Sequence, residues 1–259
     1  MTISAAFVAG LFGLIVGSFL TVVVFRVPRH ESLVKPRSRC PGCGKQIRAG
    51  DNIPVVSFLI RRGRCRDCGA KISIRYPLTE AANALLWVLA VLRFPADLGT
   101  ALLFAVFFST LLAIALIDAE TRLIPNAIVY PAVPAFAVAL VLLELTGSPV
   151  DLAWAGLGAL CFGGTLILVS LAAPRAMGMG DGKLAVLIGL VTGSLGGRFV
   201  LVSAVAGFFV GGIGGVVALA LGRDRKSALP FGPYLALGAV LAVLIGGSLA
   251  SWYAGLLGG

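Results

Sequence analysis

Eight stretches of this chain are too apolar for water to be their solvent. In one of them, twenty residues from Leu98 to Ile117 pass without a charge before Asp118 ends the run. A helix needs about 20 predominantly apolar residues to cross the hydrocarbon core of a bilayer. The stretches 4–25, 78–93, 98–118, 124–144, 152–172, 181–196, 199–221 and 232–256 meet that demand or approach it, the second and sixth being the shortest. Their prolines and glycines are no objection, because membrane helices tolerate both. At 59% hydrophobic and 12% charged residues the chain is too apolar for a soluble domain. The expected fold is an all-α membrane protein of about eight transmembrane helices.

Charge orients these spans. Of the 21 Lys and Arg, thirteen lie in 26–76, between the first two spans. If that stretch is cytoplasmic and all eight spans cross, Arg122, Arg175, Lys183, Arg223, Arg225 and Lys226 fall on the same side. Only Arg93 and Arg198 face the other way, as the positive-inside rule requires. The N-terminus is then outside. The first span does not read as a cleavable signal, because no Lys or Arg precedes it and the positive charge follows it. Most of the net charge of +10 belongs to this one segment, and its expected partner is anionic lipid headgroups, not nucleic acid. The expected organisation is a first transmembrane helix (1–26), a polar cytoplasmic insert (27–76) and a helical membrane domain (77–259). Nothing in the sequence fixes an oligomeric state.

Within the insert, Cys40-Pro-Gly-Cys43 and Cys65-Arg-Asp-Cys68 form two C-x2-C pairs. Each pair sets two thiolates in one tight turn, and two such turns complete a tetrahedral metal site. In a reducing cytoplasm disulfides are disfavoured, so a metal is expected, zinc first and iron second. Four thiolates leave no open coordination position, which makes the metal structural. An insert of this size is too small to fold on a core of its own without such a staple. Cys161 stands alone in the fifth span and reads as a packed thiol.

Two aspartates carry the strongest functional signal. Asp118 closes the third span and Asp181 opens the sixth, behind Gly178-Met179-Gly180. A carboxylate at or in the membrane is a functional-site hypothesis by default. With the topology above, both lie at the cytoplasmic face and can pair. The bland alternatives are an ion pair of Asp118 with Arg122 and a helix N-cap at Asp181. Taken together, two carboxylates sharing a proton can activate water against an amide, and Gly178 and Gly180 would let an extended peptide pass close to the backbone. Lys183 reads as a headgroup anchor or an electrostatic partner of Asp181. Asp181 sits at a helix N-terminus and Asp118 at a helix C-terminus, which by helix dipoles alone makes Asp181 the ionised base and Asp118 the protonated partner. His30 is the only histidine, and no G-x-S-x-G accompanies it, so a serine triad is not expected. Small-residue spacing at Gly207, Gly211 and Gly215 reads as helix packing. A transporter would place its acids near the midplane on related halves. A non-enzymatic scaffold whose zinc knuckle binds a partner would need the cysteines but not the aspartates.

The ordered set of motifs resembles the type IV prepilin peptidases, GxGD membrane aspartic proteases. It comprises Gly17-Ser-Phe-Leu-Thr-Val-Val, Pro36-Arg-Ser-Arg-Cys40-Pro-Gly-Cys43, Asp51-Asn-Ile-Pro54, Gly63-Arg-Cys65-Arg-Asp-Cys68 and Ile72-Ser-Ile-Arg-Tyr-Pro77. It continues with Asp118 and Ile124-Pro125, Gly178-Met-Gly-Asp181-Gly-Lys183, and Pro230-Phe-Gly-Pro233. The resemblance implies an enzyme of the bacterial inner membrane that cuts the basic leader from type IV prepilins or pseudopilins. It also implies methylation of the new N-terminal amine from S-adenosylmethionine. Asp118 and Asp181 would be the catalytic pair, and the four cysteines mark the form that carries the methyltransferase. Thr21 and Asn126 depart from the commonest family residues, Asn and Asp respectively.

Overall fold

A computed structural model describes residues 2–174, 177–222 and 230–257. Among them every extended element is helical, apart from two single-residue bridges. Arg175, Arg223, Arg225 and Lys226, on which part of the orientation argument rests, lie outside the described residues. The helices are α1 (Thr2–Arg26), the short α2 (Val56–Ile60), α3 (Arg75–Arg93), α4 (Leu98–Thr121), α5 (Asn126–Leu145), α6 (Leu152–Gly158), α7 (Gly164–Ala172), α8 (Met179–Gly193), α9 (Gly197–Ala220) and α10 (Gly232–Leu257). A π-helical turn, Ala159–Gly163, joins α6 to α7, so the fifth predicted span is one rod with a π-bulge inside it. Cys161 lies on that turn and is exposed, not packed.

Helices form at all eight expected places. Six runs are long and apolar enough to cross a membrane: Ile3–Arg29, Leu98–Thr121, Asn126–Leu145, Leu152–Ala172, Gly197–Ala220 and Gly232–Leu249. The other two are α3 and α8. α3 is diluted by Arg75, Glu80, Asn83 and Arg93. α8 has 15 residues, about 22 Å at 1.5 Å per residue.

The chain divides into two compact units, 1–109 and 110–259. In the first, α1 packs along α3 through a glycine stripe. A Cβ on Gly13 would stand 2.7 Å from Ala84 Cα, and one on Gly17 2.8 Å from Glu80 Cα, so only glycine lets the two backbones approach this closely. A chain of side-chain hydrogen bonds crosses the same interface. Asn83, fully buried, donates from Nδ2 to the Gly13 carbonyl at 2.8 Å. Ser109 Oγ donates to Asn83 Oδ1 at 2.8 Å, and Trp87 Nε1 donates to Ser109 Oγ at 2.8 Å. Each buried polar group thereby finds a partner, as a lipid-surrounded core demands.

In the second unit α8 is the central helix. Leu184, Ala185, Leu187, Ile188 and Val191 have no exposed surface, which is how a helix too short to match a bilayer is accommodated: its neighbours, not lipid, surround it. Gly182, Gly189 and Gly193 lie on one face at helical spacing, toward the α6–α7 rod. A Cβ at Gly189 would stand 2.6 Å from the Gly158 carbonyl carbon, and one at Gly182 2.8 Å from Ile167 Cγ1. Two of the three α9 glycines expected to pack do so, against the start of α10 and the residue before it: Gly211 lies against Phe231 and Tyr234, and Gly207 against Leu235 and Gly238. Gly215 has nothing within 4 Å.

Candidate active site

α4 carries Asp118 almost to its end. One turn later Arg122, at φ 57°, closes the helix with its N–H on the Asp118 carbonyl at 2.8 Å, a left-handed cap of the kind that stops helices. Pro125 then starts α5. The chain therefore reverses directly beside Asp118. The carboxyl is only 4% exposed. It makes no ion pair with Arg122 among the described residues; instead Oδ2 accepts a hydrogen bond from the backbone N–H of Gly232 at 2.8 Å. Gly232 is the first residue of α10. A Cβ there would lie 2.8 Å from Asp118 Oδ2 and 3.2 Å from its Cγ, so the position admits only glycine at this distance.

Asp181 is the third residue of α8, and the N-cap is Gly178, so the simple N-cap reading is displaced by one turn. From this position the carboxylate reaches back to the Gly178 N–H, the acidic half of a capping box. Gly178 is held in turn by Ser170 of α7, whose Oγ donates to its carbonyl at 3.2 Å. Gly180 lets α8 start against the α4–α5 reversal, since a Cβ there would be 3.0 Å from Ile124 Cβ. These contacts bring the two acids together: the charge of Asp118 acts directly on the Asp181 carboxyl. The two residues, 63 apart in sequence, thus lie near each other in the second unit.

α10 directs its N-terminus, through Gly232, at Asp118, much as α8 does for Asp181. Each acid has a positive helix end, so helix ends alone do not separate base from acid. Lys183 is held away from the pair: Nζ donates to Asn126 Oδ1 at 3.1 Å and lies 4.8 Å above the Tyr130 ring. Asn126 and Tyr130 are one turn apart on α5, which makes a polar and a π partner for one ammonium.

The second constellation lies in the first unit. The four sulfurs of Cys40, Cys43, Cys65 and Cys68 fall within 4.8 Å of one another. The Cys40–Cys68 separation is 3.8 Å, close to the roughly 3.8 Å edge of a tetrahedron with ~2.3 Å zinc–sulfur bonds. The two halves are built alike. Cys40 N–H donates to the Lys45 carbonyl and Gly44 N–H to the Cys40 carbonyl; Cys65 N–H donates to Ala70 and Gly69 N–H to Cys65. Gly44 and Gly69 take φ 69° and 71°, which glycine supplies without strain. This local repeat, C-x2-C-G in each half, is visible in the sequence, although the chain as a whole shows no repeat. Backbone N–H groups of Cys43 and Gly42 hold the Cys40 thiol down to about 7. At Cys68 the Ala70 N–H favours thiolate, but burial and the three neighbouring sulfurs outweigh it and push the thiol up to about 12. Four sulfurs crowded in this way suit one divalent cation, which replaces the protons they would otherwise keep. Lys45 and Arg48 pair with Asp67 across the two knuckles, and Arg61 and Arg66 pair with Asp51.

Fold and site together define a multi-pass helical membrane protein with one buried and one half-buried aspartate near each other and four clustered cysteines able to hold a metal ion. Residues 105–251 match the type IV leader peptidase family, and residues 11–94 match the bacterial peptidase A24 N-terminal domain. The chain belongs to the type IV leader peptidase family. It is 39% identical over 252 residues to a prepilin leader peptidase/N-methyltransferase of Bacillus subtilis, covering 94% of this chain and 95% of that protein. A protein of the same name from Pseudomonas putida is 36% identical, with 96% and 94% covered. One from Dichelobacter nodosus is 34% identical, with 95% and 94% covered. No solved structure matches significantly.

The four cysteines expected to cluster do so, and Asp118 and Asp181 lie within electrostatic influence of each other; Gly232, in contact with Asp118, is a residue to which the sequence alone assigns no role. The signal was present in Pro230-Phe-Gly-Pro233, a helix start whose glycine had no evident local reason.

Proposed function

We propose that this chain is a membrane aspartic endopeptidase that removes the basic leader of type IV prepilins or pseudopilins and then methylates the new N-terminal amine. One observation carries the reading: Asp118 and Asp181 come within electrostatic reach of each other, with a backbone N–H fixed on Asp118. The names of the relatives supply the substrate class and the second reaction.

In the proposed mechanism one carboxylate takes a proton from water as the oxygen attacks the scissile carbonyl. The other, protonated, hydrogen-bonds the carbonyl oxygen and stabilises its developing charge. The proton then passes to the leaving amine, and the pair returns to sharing one proton. Gly232 N–H keeps Asp118 from rotating out of line. Gly178, beside the Asp181 carboxyl, would leave room for an extended substrate backbone, and Gly180 would serve the same peptide by letting α8 begin close against Ile124. Lys183, braced by Asn126 and Tyr130, offers the passing peptide a fixed cation.

The four cysteines would hold one structural zinc, which stiffens the 27–76 insert and takes no part in peptide cleavage. S-adenosylmethionine would supply the methyl group. All eight helices of adequate or near-adequate length would cross the bacterial cytoplasmic membrane, with the N-terminus outside and the insert and both aspartates at the cytoplasmic face. Labelling of single cysteines placed at residues 2, 35 and 96 from either side of sealed vesicles tests that orientation. Residue 35 should react only from the cytoplasmic side; reaction from the other side contradicts it.

A further inference from the structure

Peptide cleavage leaves one buried acid without a task. Among the described residues only Asp118 and Glu80 are buried acids. Glu80 lies in α3, 8% exposed, with Gly17 of α1 against its backbone. Its Oε2 accepts the N–H of Val55, in the insert, at 2.7 Å. Among the described residues no other group bonds the carboxylate, and Oε1 is not among the sealed, unpartnered polar atoms. A carboxylate taken out of water and satisfied at one oxygen only is costly to keep. A purely structural hydrogen bond to Val55 would be served as well by an amide.

The partner of Glu80 is itself unusual. Val55 has φ 60° and ψ −49°, left-handed territory for a β-branched residue, and Val56 N–H closes on the Pro54 carbonyl at 2.5 Å. That is the rarer, strained form of γ-turn. Strain of this kind is kept where surrounding structure enforces it, often at ligand clamps. Behind Glu80, one turn along α3, the Asn83–Ser109–Trp87 chain fixes the helix. The titratable groups on the elements packed there are Arg26 on α1, Arg75, Tyr76 and Arg93 on α3, and Asp51, Arg61 and Arg62 in the insert. Arg26 is engaged with the Ser32 and Pro36 carbonyls, and Arg61 with Asp51.

The geometry points to Glu80 as the group that binds the substrate's new N-terminal ammonium and takes its proton for methyl transfer. This rests on the methyltransferase reading above. A primary α-ammonium, with a pKa of about 7.7–8, is mostly protonated at neutral pH and has no lone pair to give. The free oxygen of Glu80 accepts one proton from it. The nitrogen lone pair then forms the new bond to the methyl carbon of S-adenosylmethionine. The carbon–sulfur bond breaks with its electron pair going to sulfur, so the sulfonium becomes a neutral thioether. The product keeps one positive charge as a methylammonium, and Glu80 returns its proton to water. The oxygen bonded to Val55 stays fixed and aims the other.

Glu80→Gln tests this, because the amide still accepts from Val55 N–H but cannot take a proton. Purified protein in detergent is given a prepilin and S-adenosylmethionine, and mass spectrometry reports cleavage and methylation separately. Glu80→Gln should cleave, retain zinc and bind S-adenosylmethionine as wild type does. Its methylation should be slow at pH 6.5 and rise about twentyfold by pH 9, as the free amine fraction rises; wild type should change little over that range. Wild-type methylation by Glu80→Gln at pH 6.5, an equal loss at both pH values, or lost binding of S-adenosylmethionine overturns the assignment. If the variant does not accumulate, wild type alone decides: a flat profile supports the base, and a twentyfold rise overturns it. Wild type that cleaves but never methylates removes the methyltransferase reading and the role of Glu80 with it.

Discussion

Gly232→Ala is the sharpest perturbation of the aspartate pair that leaves both aspartates in place. The added methyl would stand 2.8 Å from Asp118 Oδ2 and 3.2 Å from its Cβ and Cγ, several tenths of an ångström inside ordinary contact. Neither side yields easily: Asp118 is buried at the end of α4 and Gly232 is the first turn of α10. Either Asp118 rotates and loses the 2.8 Å bond from Gly232 N–H, or α10 shifts outward. A hydrogen bond to a charged group contributes about 1.5–3 kcal/mol, and overpacking a tight site costs roughly 1–3 kcal/mol. If the loss falls on the transition state, kcat for cleavage drops by about 10- to 100-fold. The assay is turnover of a prepilin peptide in detergent, with Gly156→Ala as control, because nothing lies within 4 Å of a Cβ there. Near-normal kcat in well-folded Gly232→Ala would refute the idea that Gly232 positions Asp118.

Three further outcomes follow from the same contacts. Purified, reduced protein should carry about one zinc per chain, and Cys→Ser at Cys40, Cys43, Cys65 or Cys68 should lose it and loosen the insert to proteolysis; metal analysis finding neither zinc nor iron would contradict this. Those variants should lose methylation more than cleavage, read by mass spectrometry of the product. Gly189→Ala should lower thermal stability by about 1–3 kcal/mol or more, because its methyl meets the Gly158 backbone, whereas Gly212→Ala should be close to neutral; equal melting temperatures for the two would show that α8 is not packed through its glycines.

Local pattern and long-range contact were unequally legible in the sequence. Apolar runs and the positive insert betray membrane helices, because a bilayer imposes length and charge rules on each segment separately. C-x2-C pairs betray the cluster of four sulfurs for the same reason: the spacing itself makes the turn. α8 was harder. It is 15 residues long and buried by neighbouring helices, and a helix that meets no lipid need not obey the bilayer's length. Gly232 acts on a residue 114 positions away, and Glu80 on Val55, 25 positions away. No periodicity encodes such a pairing. At Asp118 the end of α4 is evident in the sequence, but the start of α10 arriving at the same carboxyl is not.

Whether Asp118 and Asp181 act as one catalytic unit is decided by mass spectrometry of a prepilin co-expressed with wild type, Asp118→Asn, Asp181→Asn and the double variant, each shown to accumulate in the membrane. Wild type should yield leaderless product with a methylated N-terminus. Both single variants should yield only full-length prepilin, and the double variant should be no worse than either, because the residues work as a pair. Cleavage at near-normal rate by either single variant would contradict the account.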